Sequence, residues 1–361
     1  MLQQKGGTRT AVLDASSFYR SAADEQWTIS ANALNPEALT TAARDARWRV
    51  RFVVAETAGT LVGYMPVFQA KGEDFPTDSC DPAIVAPGVA GKHPRPASDF
   101  LLIGGHTELV AGGVVRAGCP EEEQAEVIAR LAEAAFALAR DEGKIGMALY
   151  VRDAQLESFL RYAPRDRVAS KIAEDFSLAV PDDGMDAYVS GLKRKTRARV
   201  RNELHEVEER SLSTRTHSVA EILDEALPLI LSVKQRHGIV DHPRLVRMRL
   251  QSWWQAASWT AAFCVSDPSG ELIAVSLAVV CGPALEIYEV GLSDSSDLRH
   301  LAYVEALLYA PMRWAAENDV SRLVLGLDSP TPKRLRGAVP SAVWAVAATF
   351  DEESGAREIA P

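Results

Sequence analysis

No stretch of this 361-residue chain stays apolar for the roughly 18 residues that a bilayer span requires. Its opening, MLQQKGGTRTAVLDASS, lacks the apolar core of a secretory signal, so the sequence reads as a cytoplasmic protein. Cysteine is scarce. The four present (Cys80, Cys119, Cys264, Cys281) show no CxxC spacing and no histidine at ligand distance, which excludes a disulfide framework and a zinc site and leaves them as small buried hydrophobes. Positive charge is in deficit, with 39 Lys and Arg against 49 Asp and Glu. The resulting net charge of -10 repels polyanions on average and excludes a general nucleic-acid coat. What the chain has in quantity is core material: 47% hydrophobic residues with 24% charged ones, the balance of a globular protein. A chain of this length is too long for one core, and two domains of roughly 175 residues are expected.

The chain states one pattern twice, about 210 residues apart. RFVVAETAGTLVGYMPVFQA (51–70) reads as two strands joined at Ala58 and Gly59, and WTAAFCVSDPSGELIAVSLAVV (259–280) as two strands joined at Asp267 to Gly270. A third apolar strand, a helix and a further strand follow each hairpin. In the first copy these are DFLLIGGHTELVAGG, the helical stretch 121–143 and KIGMALYV; in the second they are ALEIYEVGL, the helical stretch 298–319 and VSRLVLGLD. Both helical stretches carry apolar residues at three- and four-residue spacing. A hairpin, a third antiparallel strand, a helix and a parallel strand form an α/β unit with a mixed sheet, here in tandem.

Two segments carry a resemblance to a known group: YVSGLKRKTRARVRNELHEVEER (188–210), a basic helix, and LGLDSPTPKRLRGAVPSAVWAVA (325–347), a strand, a turn, a Lys/Arg pair and an Arg-Gly step before a last strand. The chain resembles the GNAT-superfamily acyltransferases of the Fem-type aminoacyltransferase-related group. The resemblance implies an α/β fold of two tandem GNAT-like domains, 1–176 and 177–361. It also implies an N-acyltransferase whose C-terminal domain binds the donor and whose N-terminal domain is degenerate or binds the acceptor.

Six cations stand in the nine residues from Lys193 to Arg201. On a helix Arg194, Arg197 and Arg201 form one stripe, suited either to phosphates or to pairing with Glu203, Glu206, Glu208 and Glu209. Lys333, Arg334 and Arg336 lie in a Pro- and Gly-containing turn after an apolar strand, at a sheet's carboxyl edge, where ligands tend to bind. CoA-using GNAT proteins have a glycine-rich pyrophosphate loop before the helix; here SDSSDLRHLAYVEA (293–306) has no glycine, leaving Arg299 as a single phosphate contact. The first copy has Gly112, Gly113 and Gly118 but runs into three glutamates.

Amide formation requires a proton acceptor and donors for the oxyanion. Glu289 is the expected acceptor, with Asp328 on the neighbouring strand and His237 at a helix end as further candidates. Backbone N–H groups of Gly291 and Leu292 are expected to serve the oxyanion. Strict strand alternation puts Glu286 and Tyr288 on the face opposite Glu289. Trp253, Trp254 and Trp259 suit either a nucleobase stack or the core. The donor expected is aminoacyl-tRNA, with acyl-CoA or an acyl-carrier protein as alternatives and a non-catalytic binding module as a third reading. The acceptor is an amine of a small molecule or of a cell-wall or natural-product precursor. No bound cofactor or metal is expected.

Overall fold

The computed structural model describes residues 8–23, 25–90, 95–106, 111–162, 166–239, 241–255, 257, 259–327 and 329–348. The chain divides into two compact units, Met1–Thr28 with Ala42–Ala173 and Ala342–Pro361, and Ile29–Thr41 with Glu174–Ser341. The division is not a single cut near 176: a short N-terminal segment belongs to the second unit and the final strand to the first.

The first unit contains β1 (Arg9–Asp14), β2 (Trp27–Thr28), β3 (Trp48–Thr57), β4 (Thr60–Ala70), β5 (Phe100–Ile103), β6 (Val114–Arg116) and β7 (Ile145–Arg152). The second contains β9 (Ser213–His217), β10 (Thr260–Ser266), β11 (Leu272–Cys281), β12 (Ala284–Leu292) and β13 (Arg322–Gly326). Each unit is completed by a strand that starts in the other's stretch of chain, β14 (Val339–Ala348) pairing with β7 and β8 (Arg167–Ala179) with β13. The strand orders correspond: β1-β3-β4-β5-β7-β14 in one unit, β9-β10-β11-β12-β13-β8 in the other, with β5 parallel to β7 and β12 parallel to β13. The repeat expected from the sequence is therefore present as two tandem GNAT-like units.

Local chemistry explains the hairpins. Ala58 and Gly59 both take positive φ (53° and 81°), the two-residue turn whose twist matches the flanking strands. In the second hairpin the Asp267 carboxylate accepts the N–H groups of Ser269 (2.9 Å) and Glu271 (3.0 Å), and Gly270 supplies φ 88°.

Helices cover the sheets: α1 (Glu121–Asp141) in the first unit, and α2 (Gly184–Gly191), α3 (Arg194–Glu209), α4 (Val219–Arg236) and α5 (Pro243–Gln255) in the second. A continuous helix follows as α6 (Arg299–Val304), a π turn (Glu305–Tyr309) and α7 (Ala310–Glu317); α8 (Pro330–Arg334) is a single turn. In the second sheet, Val275, Leu277 and Val279 pack against Ile222, Ala226 and Leu250 of α4 and α5. Ala261, Phe263 and Ile287 face the opposite layer, with Leu307, Leu308 and Met312. The π turn departs from the helical ladder, and Ser276 Oγ donates to the Ala306 carbonyl at 2.6 Å. Among the described residues no helix is long and apolar enough to cross a membrane.

Candidate functional site

Strand β12 pairs with β13 over only three residues, Ala284 to Glu286 against Arg322 to Val324, and then continues to Leu292 beside β11 alone. Beyond Glu286 one edge of β12 is therefore released from β13, a place where backbone N–H groups can meet a ligand. The first unit starts the same way, β5 pairing with β7 from Phe100 to Leu102. There the gap is closed. Ala111 bridges Val151 and donates to the Tyr150 carbonyl at 3.2 Å, and Gln155 Oε1 accepts the Gly113 N–H at 3.2 Å. Gly104, at φ 83°, allows this return, since a Cβ there would lie 2.7 Å from Gly112 N. His106, next to this closure, stacks on Phe68 at 4.1 Å, and burial pushes its imidazole down to about 4, leaving it neutral at pH 7.

The open edge of β12 carries a bulge that overturns the expected face assignment. Leu277 pairs with Glu289 and Val279 with Glu286, so one extra residue, around Tyr288, is accommodated between them. The insertion shifts the parity of the strand, and Glu286, Tyr288 and Glu289 all address the α4 and α5 layer. Glu286 is buried, and its Oε2 accepts the Asn32 N–H at 3.0 Å. Asn32 also donates its side-chain amide to the Trp253 carbonyl (2.9 Å), and Trp253 stacks on Tyr288 at 4.2 Å. Glu289 instead lies among ions: Arg249 at 2.8 Å, Lys234 at 3.3 Å, with Asp241 completing the group through the same two cations.

The nominated oxyanion pair separates. Ser293 donates its N–H to the Ile273 carbonyl at 2.8 Å. By the alternation of an antiparallel ladder, Gly291 likewise turns its N–H toward β11, and only Leu292 turns its own toward the released edge. Glycine at 291 has a packing reason, because a Cβ would lie 2.8 Å from Leu229 Cβ and 2.9 Å from Ile230 N of α4. His237 caps the end of α4 and is exposed on that corner, with Gly238 at φ 76° closing the helix. Asp328 lies outside the described residues.

The cations divide into two sets. Lys193, at the start of α3, and Arg194 and Arg201 are exposed, and among the described residues none of the three forms an ion pair. Arg197 is turned inward and donates to the Leu192 carbonyl at 2.9 and 3.2 Å, so the expected stripe loses its middle member. Arg201 also borders a groove between α2 and α3 with Asp183, Asp186, His205 and Glu208. Arg299 sits at the first position of α6 with Asp294 at 3.6 Å, and Asp294 also holds Arg236 at 3.1 Å and the Ser232 hydroxyl. An aspartate thus occupies the region where a pyrophosphate would approach the helix.

Lys333, Arg334 and Arg336 were expected to project from the sheet edge, and the structure corrects this. Lys333 is 3% exposed and donates to the Gly326 carbonyl at 3.0 Å, bracing the chain after β13. Arg334 pairs with Glu174. Arg336, 1% exposed, makes a bidentate pair with Glu203 (2.7 and 2.9 Å) and donates to the Pro332 carbonyl at 2.8 Å. Tyr309 donates to the same Glu203, Tyr188 donates to the Arg336 carbonyl at 2.6 Å, and His300 Nε2 lies 3.3 Å from Arg336. Burial pushes both phenols well above their usual range, so they remain donors at neutral pH. In the sequence Glu203 reads only as one of four acids that could pair with the cationic stripe. Its position between Val200 and Val207, both buried on the same face of α3, was the available signal.

Trp259 stacks on Trp314 at 4.0 Å, and Trp253 on Tyr288, so both serve internal stacks instead of an open platform. All four cysteines are free, and among the described residues no group of His, Cys, Asp or Glu is placed to hold a metal.

Residues 194–333 match the family of acetyltransferase (GNAT) domains. Among solved structures, FemX aligns with a TM-score of 0.61 at 11% identity, over 96% of this chain and 98% of that one. The C-terminal domain of a putative lysylphosphatidylglycerol synthetase from Agrobacterium fabrum aligns with a TM-score of 0.56 at 12% identity, over 95% of each chain. L-PGS from Bacillus licheniformis gives 0.56 at 9% identity, over 94% of each. No curated protein sequence matches the chain significantly. At such identities the structural likeness speaks for the fold, which is that of the Fem-type GNAT proteins.

Proposed function

We propose that this chain, an acyltransferase with a GNAT domain across its second half, transfers an aminoacyl group from aminoacyl-tRNA to an amine of a small molecule or of a cell-wall or natural-product precursor. The observation that carries the reading is the start of α3. Among the described residues Lys193, Arg194 and Arg201 are exposed without ion partners, whereas Arg299, Arg334 and Arg336 are all paired. Arg201 lies two turns along the same face as Arg194, and Lys193 and Arg194, at the first turn of the helix, are opposed by its dipole and remain solvated unless an anion relieves them. A phosphate-rich donor does so. The aspartate beside Arg299 argues against the pyrophosphate of CoA at α6, and aminoacyl transfer is the chemistry in the name of the lysylphosphatidylglycerol synthetases.

The released edge of β12 is the place for the reaction. The acceptor nitrogen attacks the ester carbonyl of the donor, and a backbone N–H of the released edge just beyond Glu286 faces the oxygen that becomes negative. Glu286, at the parting of the strands, takes the ammonium proton directly or through water, in place of the ion-paired Glu289. As the intermediate collapses, the C–O bond breaks and the proton passes to the departing ribose hydroxyl. The first unit, with its gap closed by Ala111 to Gly113, is a structural or acceptor-binding copy.

Replacing Arg194 and Arg201 together by alanine should raise the donor KM and flatten the salt dependence of donor affinity by about two contacts, with the fold unchanged within about 0.5 kcal/mol. Arg197→Ala should leave the slope as it is. A double variant with wild-type affinity and slope would reduce the helix to a solvated face and remove the support for this donor.

A further inference from the structure

We infer that Asn32 is a positioning residue for Glu286, an inference that rests on the proton-acceptor role proposed above. Asn32 belongs to the short N-terminal segment of the second unit and stands 254 residues from Glu286 in the sequence. It begins a single 3-10 turn, Asn32–Leu34, and is buried together with Ala31, Leu34 and Leu39. Just upstream the segment is tied to the end of β11, where Cys281 Sγ donates to the Ile29 carbonyl at 3.3 Å.

Asn32 joins two elements through two different donors. Its backbone N–H donates to Glu286 Oε2 at 3.0 Å, and its side-chain amide donates to the Trp253 carbonyl at 2.9 Å. That carbonyl lies in the last turn of α5, where a helix supplies no partner of its own; Ala257, four residues on, donates instead to the Trp254 carbonyl at 3.0 Å. The buried Trp253 indole N–H has no acceptor among the described residues, so the ring is held by its stack on Tyr288 and by the anchored carbonyl. The contacts form a closed circuit, from Glu286 to Asn32, to Trp253, to Tyr288 and back along β12. It surrounds the bulge, at the point where the strand leaves β13. Any residue but proline would offer a backbone N–H at position 32, so bonding Glu286 does not by itself call for asparagine. What the amide adds is direction. Fixed to α5, it sets the plane of the peptide that holds Oε2, and with it the orientation of the carboxylate. A proton acceptor works only within hydrogen-bond reach of its ammonium, and a misplacement of about 1 Å can cost on the order of 10²-fold in rate.

The test is a double-variant cycle on the full chain with two readouts. One is single-turnover transfer from radiolabelled aminoacyl-tRNA to glycinamide, a small amine that is protonated at neutral pH, measured beside donor affinity. Asn32→Ala should slow transfer by about 10- to 100-fold with donor affinity unchanged, and in the Glu286→Gln background it should slow it no further than about twofold. Asn32→Asp fits the same space but cannot donate to the Trp253 carbonyl when ionised, so it should be at least as slow and serves if the alanine variant melts too low to assay. The other readout needs no substrate: the backbone amide proton of residue 32, observed by NMR, should lie downfield as for an N–H bonded to a carboxylate. It should move upfield in Glu286→Gln and also in Asn32→Ala. An amide proton that stays in place in Asn32→Ala overturns the inference, as do losses that multiply in the double variant or an unimpaired Asn32→Ala beside a slow Glu286→Gln; each leaves the proton acceptor standing. A wild-type rate in Glu286→Gln overturns the proton-acceptor reading itself, and this inference with it.

Discussion

Arg336→Met should destabilise the second unit by roughly 3–5 kcal/mol, because it leaves the Glu203 carboxylate buried opposite an apolar side chain. In thermal melts this corresponds to a loss on the order of 10 °C for a unit of this size. Glu203→Leu alone should be similarly damaging, since it strands the guanidinium and removes the acceptor of Tyr309. The double variant should recover much of the loss, because an apolar pair of similar volume escapes the desolvation cost that the ion pair carries. A simple sum of the two single effects would mean that the residues act separately and that the bidentate geometry contributes nothing. The pair also sets the rotation of α3. Glu203 holds one face of that helix inward with Val200 and Val207, and this leaves Arg194 and Arg201 on the outside.

The second large effect concerns turnover. Glu286→Gln should lower kcat by roughly 10²- to 10⁴-fold, the usual contribution of a positioned proton acceptor, with little change in donor KM. Glu289→Gln should cost less than about tenfold, because that side chain is engaged by Arg249 and Lys234 and its loss loosens a surface ion network. Single-turnover rates on preloaded donor separate these outcomes from product release. If Glu289→Gln proves the more damaging change, the ion-paired residue is the proton acceptor and Glu286 is not.

Much of the fold was legible because it is local. The Ala58-Gly59 and Asp267 to Gly270 turns announce their hairpins by residue type, and the helix of each repeat shows its period directly. The pairing of β14 with β7 was not legible, since an antiparallel contact across some 190 residues leaves no local mark. The same holds for the segment Ile29–Thr41, which joins the second unit and caps Glu286 through Asn32. The bulge at Tyr288 shifted the strand parity without any glycine to signal it, and this placed Glu286 and Glu289 on one face. Lys333 and Arg336 were misplaced for a compositional reason: long cationic side chains are almost never buried unless paired, and the partner of Arg336 lies 133 residues away. Two buried acids did leave a trace. Glu203 sits in the apolar stripe of α3, and Glu305 interrupts the run LAYVEALLYA, where it is buried with Thr214 at 2.9 Å and Arg313.

The most direct test of the account is transfer of label to an amine from three donors offered in turn, radiolabelled aminoacyl-tRNA, acetyl-CoA and acyl-carrier protein. Label should reach the amine from aminoacyl-tRNA, the transfer should fall with added salt, and the Arg194→Ala, Arg201→Ala variant should lose most of it at limiting donor. Acetyl-CoA should give none and should show no heat of binding in calorimetric titration. Transfer from acetyl-CoA with micromolar affinity, its phosphates seated at Asp297 to Ala302, would contradict the account, as would transfer from the carrier protein alone.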